Sequence, residues 1–138
     1  MSDLVKFRTF KDGDYDLCCK WWKWWWGETG PVPEAYLPAR GRCYMIEING
    51  RPVAASFLYA DELMGYLTWT ISDPEYKEAN RKNLIELLIE KIQEDARNVW
   101  GVRFILTVCE NEHLEKIHRK LDWHVQDSNP AYACFKYL

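Results

Sequence analysis

The 138-residue chain carries 18 Lys and Arg against 21 Asp and Glu, a formal net charge of -3, and is 48% hydrophobic and 28% charged. That is the size and composition of one soluble globular domain, and its charge disfavours a general nucleic-acid or anionic-membrane binder. No apolar run is long enough to span a bilayer, and the start, MSDLVKF, lacks the basic and apolar regions of a secretory signal. Five cysteines (Cys18, Cys19, Cys43, Cys109, Cys134) make an odd count without a C-x-x-C pair. This argues against a disulfide framework or a metal site and for a reduced, cytoplasmic setting.

Residues 4–10 alternate, Val5 and Phe7 against Lys6 and Arg8, as a half-solvated strand does. A turn at residues 11–14 follows, in which Asp12 or Asp14 can cap a helix over residues 15–26. That helix is apolar almost all round, which calls for burial on more than one side. It holds five of the eight tryptophans: Trp21, Trp22, Trp24, Trp25 and Trp26. Residues 27–41, with Pro31, Pro33 and Pro38, read as a loop or short helical turn. Two hydrophobic runs, 42–48 and 51–60, flank Asn49-Gly50, the preferred type I′ hairpin turn. A second turn at residues 61–64 leads into a third strand, 65–71, completing an antiparallel meander.

Leu84, Leu88 and Ile92 share one helical row, with Ile85 and Ile89 beside it, in a helix that runs to about residue 99. Between strand and helix lies the polar joint SDPEYKEANRK, residues 72–82. A strand entering an amphipathic helix this way presents unpaired amides and a positive dipole end that suit an anion. The plainer reading is a simple connection in which Ser72 and Glu75 form a capping box. After Trp100-Gly101, residues 102–108 form a near-continuous apolar run typical of a central strand. Residues 110–121 form a helix with Leu114, Ile117 and Leu121 at helical spacing, and residues 123–125 and 131–137 are the last strands.

Strand, helix, three strands, helix, strand, helix, two strands: in a chain of this size, that order resembles the GNAT superfamily of acyl-CoA N-acyltransferases. The resemblance covers essentially the whole chain, and its short, divergent form is similar to bacteriophage-type members. Three places carry it: the meander ending in Ile71-Ser72-Asp73-Pro74; the stretch from Pro74 to Lys77 followed by Leu84, Leu87 and Leu88; and NEHLEKIHRKLDW, residues 111–123. It implies one α/β (α+β) domain over residues 1–138, with a mixed, mainly antiparallel sheet of about six to seven strands flanked by helices. It also implies acetyl-CoA as acyl donor and an amine of a small molecule or protein as acceptor. Ile71, Ser72, Lys77, Asn80, Arg81, Lys82 and Asn111 would hold the cofactor.

The departures from the family pattern are specific. Its pyrophosphate loop, R/Q-x-x-G-x-G/A, reads Lys77-Glu78-Ala79-Asn80-Arg81-Lys82 here. Asn80 tolerates the left-handed conformation better than most residues. Lys82 either blocks the loop or pairs with phosphate as a point charge, while Glu75 and Glu78 repel an anion. Weakened cofactor binding is the expectation. His118 takes the place of the family's Tyr general acid, and an imidazole can donate a proton near neutral pH. The alternative is a surface histidine between Lys116 and Lys120. Asp122 and Trp123 replace a Gly-Phe pair, and Asp is among the residues that accept positive φ. No general base stands out. Glu47 is the carboxylate inside a strand, and an outward-facing charge explains it more simply.

By the same resemblance the tryptophan helix lies on the acceptor side. It reads as an aromatic wall for an acceptor, or as a hot-spot surface for a protein partner or a homodimer. Membrane contact is a third reading, against which the short segment and net negative charge count. Five tryptophans cannot all cover the sheet, so an exposed apolar patch is expected. The runner-up function follows: a catalytically silent GNAT-like protein that grips and inhibits a partner through these residues.

Overall fold

The computed structural model describes residues 3–108 and 112–123, and the chain falls into two compact units, through Leu106 and from Thr107 onward. The first unit is built on a sheet of β1 (Val5–Thr9), β2 (Cys43–Ile48), β3 (Arg51–Asp61), β4 (Met64–Ser72) and β5 (Phe104–Leu106), lying side by side in that order. The first four strands are antiparallel and β5 runs parallel to β4. Parallel neighbours need a crossover, which is α2 (Arg81–Asn98); α1 (Asp14–Trp26) joins β1 to β2. The connection after α1, residues 27–42, contains two short 3-10 turns, Glu34–Tyr36 and Arg40–Arg42. The second unit contains α3 (Glu112–Lys120).

The expected meander is present as β2, β3 and β4. Its Asn49-Gly50 turn has φ of 51° and 81°, both positive as a type I′ turn requires. Five strands stand among the described residues where six to seven were expected; the segments 124–125 and 131–137 lie outside the described residues, and Trp123 is not in a strand.

Within the first unit, α1 packs on one face of the sheet and α2 on the other. On one side Cys18, Trp21 and Trp22 of α1 pack with Cys43, Met45, Ala55, Phe57 and Ile71. On the other, α2 lies on β2 and β3 and buries Leu84, Leu88, Ile89, Ile92 and Ala96. Each buried Leu or Ile contributes roughly 1.5–3 kcal/mol against about 1 kcal/mol for an N-cap. Packing therefore fixes α2 without one: Asn80 precedes the helix and its side chain makes no cap bond. The capping box is not formed either. Ser72 ends β4 eight residues before Asn80, and the Glu75 amide donates instead to Asp73 Oδ1 at 2.9 Å. Nor does Asp12 or Asp14 cap α1, since Gly13 holds that position and Asp14 is the first helical residue, buried against Arg8.

Among the described residues no helix is long and apolar enough to cross a membrane, and no His, Cys, Asp and Glu cluster could hold a metal. Cys18, Cys19 and Cys43 are free thiols.

Candidate functional site

β4 is irregular in its pairing with β3. Between the pairs Phe57–Thr68 and Ala55–Ile71, β3 advances two residues and β4 three, so β4 carries a bulge at Trp69 and Thr70. Trp69 has φ of 58°; the other described non-glycine residues with positive φ, Asn49, Glu62 and Asp122, lie in turns or after a helix. A left-handed residue with a Cβ costs about 1–2 kcal/mol, so the surroundings must hold this one in place. Side chains from α1 and β3 bond to it. Trp22 Nε1 donates to the Trp69 carbonyl at 3.3 Å, and Trp69 Nε1 donates to the Tyr59 hydroxyl at 3.2 Å. The Tyr59 hydroxyl in turn donates to the Tyr36 carbonyl at 2.6 Å, while Ser56 Oγ and Thr70 Oγ1 share a hydrogen bond of 2.6 Å beside the bulge. Nothing in the sequence signals this arrangement, because the bulge depends on the register between two strands.

The ladder to β5 covers Met64–Tyr66 of β4, written by residue pairs Met64–Phe104 through Tyr66–Leu106, and β4 continues beyond it to Ser72. At that end the chain is stapled by side chains. The Asp73 amide donates to Val53 O at 2.7 Å and Arg51 pairs with Asp73 Oδ2 at 2.9 Å. Buried Tyr76 donates from its hydroxyl to Asn80 Oδ1 at 2.6 Å, and the Arg51 guanidinium sits over the Tyr76 ring. Ile48, Asn49 and Arg51 of the hairpin and Tyr76, Glu78 and Asn80 of the loop wall a cavity of about 500 Å³. Asn80 has φ of -85° rather than a left-handed value, so the loop is closed by its Tyr76 bond and not by unusual backbone.

The expected cofactor residues divide. Ile71 and Ser72 are buried, Ile71 in the α1-side core, so each offers backbone more than side chain. The Ser72 carbonyl accepts from Trp25 Nε1 at 2.8 Å. Lys77 and Lys82 are exposed; Arg81 is half-buried with its guanidinium 5.6 Å above the Trp25 ring. Asn111 lies outside the described residues.

Glu47 is not outward-facing. It is buried on β2 and pairs with Arg8 Nε at 2.9 Å, while Arg8 Nη1 reaches Asp14 at 2.6 Å. Burial pushes the Asp14 carboxyl up, but Arg8 and the Lys11 amide outweigh it and hold it below its ordinary range. The carboxylate of Glu47 is committed to this ion cluster, two strands from β4. His118 is buried as well, with Nδ1 2.6 Å from Leu114 O and its ring edge-on to Trp123. Burial lowers its pKa, opposed only in part by the Leu114 contact, so it is predominantly neutral at pH 7, where a neutral imidazole is a poor proton donor. Asp122 follows with φ of 65°, the conformation expected of it.

Of the five tryptophans, Trp21 and Trp22 belong to the core, and only Trp24, Trp25 and Trp26 present exposed surface, at 64%, 40% and 47%. The helix is thus buried on one side, not several. Lys20 and Lys23 on the same helix are exposed. Burial raises the thiol pKa of Cys18 strongly and that of Cys43 to about 11, so neither is a thiolate nucleophile near neutral pH.

No protein-family model and no curated protein matches the chain. Solved structures do. A GCN5-related N-acetyltransferase from Ralstonia eutropha is 15% identical, with a TM-score of 0.63 over 94% of this chain and 99% of its own. A Trypanosoma brucei acetyltransferase is 15% identical, with 0.64 over 95% and 100%. An aminoglycoside N-acetyltransferase solved in complex with CoA is 12% identical, with 0.66 over 97% of both chains. At such identities the likeness shows the fold: this chain has the fold of the GCN5-related N-acetyltransferases.

Proposed function

We propose that this chain, on its GCN5-related N-acetyltransferase fold, is an acyl-CoA-dependent N-acetyltransferase acting in the cytoplasm on an amine of a small molecule or protein. The observation that carries the reading is the end of β4. A strained bulge is followed by a stapled loop and then by a helix whose N-terminus no side chain caps. Backbone amides and the dipole there favour an anionic group, and Lys77, Arg81 and Lys82 add positive charge within the same six residues as Asn80.

These residues fit a pyrophosphate in one respect and resist it in another. The Lys82 side chain is exposed, which leaves it able to pair with phosphate as a mobile charge, and Arg51 already neutralises Asp73. Glu75 and Glu78 remain exposed beside them and weaken the attraction. When bound, an acyl-CoA supplies an activated carbonyl carbon. Around it Ile71 and Ser72 would orient the arm through backbone, residues 77–82 would hold the charged end, and Trp24, Trp25 and Trp26 would line the approach of the acceptor.

A ¹⁵N NMR titration with CoA tests the site directly. Amide shifts concentrated at Ile71, Ser72 and residues 77–82 are expected. Shifts confined to other parts of the chain would contradict the assignment and turn attention to the exposed tryptophan surface as a site for a protein partner.

A further inference from the structure

The geometry points to Trp22 and Tyr59 as positioning residues that hold the Trp69 bulge of β4 in its left-handed conformation. This rests on the reading of β4 as part of the acyl-CoA site. The argument begins with side-chain type. An aromatic residue with positive φ inside a strand is a genuine outlier, and nothing in its own preferences keeps it there. The carbonyl of Trp69 is engaged by the indole of fully buried Trp22 and its own indole by Tyr59. The two partners come from different elements, α1 and β3, on the same face of the sheet as the α1 core. Tyr59 then extends the chain to the Tyr36 carbonyl, in the 3-10 turn of the α1–β2 connection. Four aromatic residues therefore form one hydrogen-bonded line, Trp22 to Trp69 to Tyr59 to Tyr36, passing through the strained peptide.

Such a brace is needed only because residue 69 is not glycine. Glycine adopts positive φ without a steric cost, so a glycine there would keep the bulge with no clamp. This gives a test that separates positioning from ordinary packing. Tyr59→Phe removes one hydroxyl from a half-buried ring. It should leave the thermal midpoint nearly unchanged, weaken acetyl-CoA binding about tenfold in calorimetry, and speed hydrogen exchange at the Thr68 and Thr70 amides about tenfold. In a Trp69→Gly background the same Tyr59→Phe change should be silent in both readouts. Equal effects in the two backgrounds, or no effect of Tyr59→Phe in the first, would overturn the brace. If the unmodified protein binds no acetyl-CoA, the acyltransferase reading fails on its own, and the exchange rates of Thr68 and Thr70 still decide whether Tyr59 holds the bulge.

Discussion

Trp22 and Trp24 stand two residues apart on α1 and live in different environments. Trp22 is fully buried, stacks at an angle on Phe57 and donates to β4, whereas Trp24 is 64% exposed and its ring meets Trp25 edge-on. The helix phase separates them. Cys18, Trp21, Trp22 and Trp25 fall at i, i+3, i+4 and i+7, the stripe that faces a sheet, and Trp25 at its end reaches Ser72 and Arg81. Residues off the stripe look outward with Lys20 and Lys23. Composition therefore says that the helix is rich in tryptophan, and position says which of them pack in the core and which stay exposed.

Substitution breaks this contrast most sharply at the buried site. Trp22→Ala should cost about 3–5 kcal/mol in urea unfolding, with the indole's hydrogen bond lost along with its volume; a cost near that of a surface change would show that the α1 core is not as packed as its burial implies. A middle effect is expected from pH at His118. Its pKa is lowered in the fold by burial, so the unfolded chain binds the proton more readily, and stability should fall as pH drops below about 6.5. His118→Phe should flatten that part of the stability–pH curve, and an unchanged slope would assign it to another group. The smallest effect belongs to Trp24→Ala, within about 0.5 kcal/mol as for most exposed positions. A larger loss would mean that the outward face of α1 is covered.

Much of the fold was legible because it is written in local patterns. Asn49-Gly50 between two apolar runs predicts its hairpin, and Leu84, Leu88 and Ile92 predict the face of α2 that meets the sheet. What escaped depends on contacts distant in sequence. Asp14 and Glu47, 33 residues apart, are joined by Arg8, and neither carboxylate betrays that partner locally. The Ser72-to-Glu75 spacing suits a capping box, yet Asp73 lies between them and takes the Glu75 amide first, which the spacing alone cannot reveal. Of the proposed site, the polar loop from β4 to α2 could be placed from the sequence, while the Trp69 bulge could not. The line of aromatic side chains that holds it spans 47 residues between Trp22 and Trp69.

The most direct measurement is a calorimetric titration of the purified protein with acetyl-CoA, beside the variant Arg81→Glu. Binding in the micromolar range, about -8 kcal/mol or a little weaker, with affinity lowered about tenfold by the charge reversal at the start of α2, is the predicted result. No heat of binding with the unmodified protein, or an affinity indifferent to residue 81, would contradict the account.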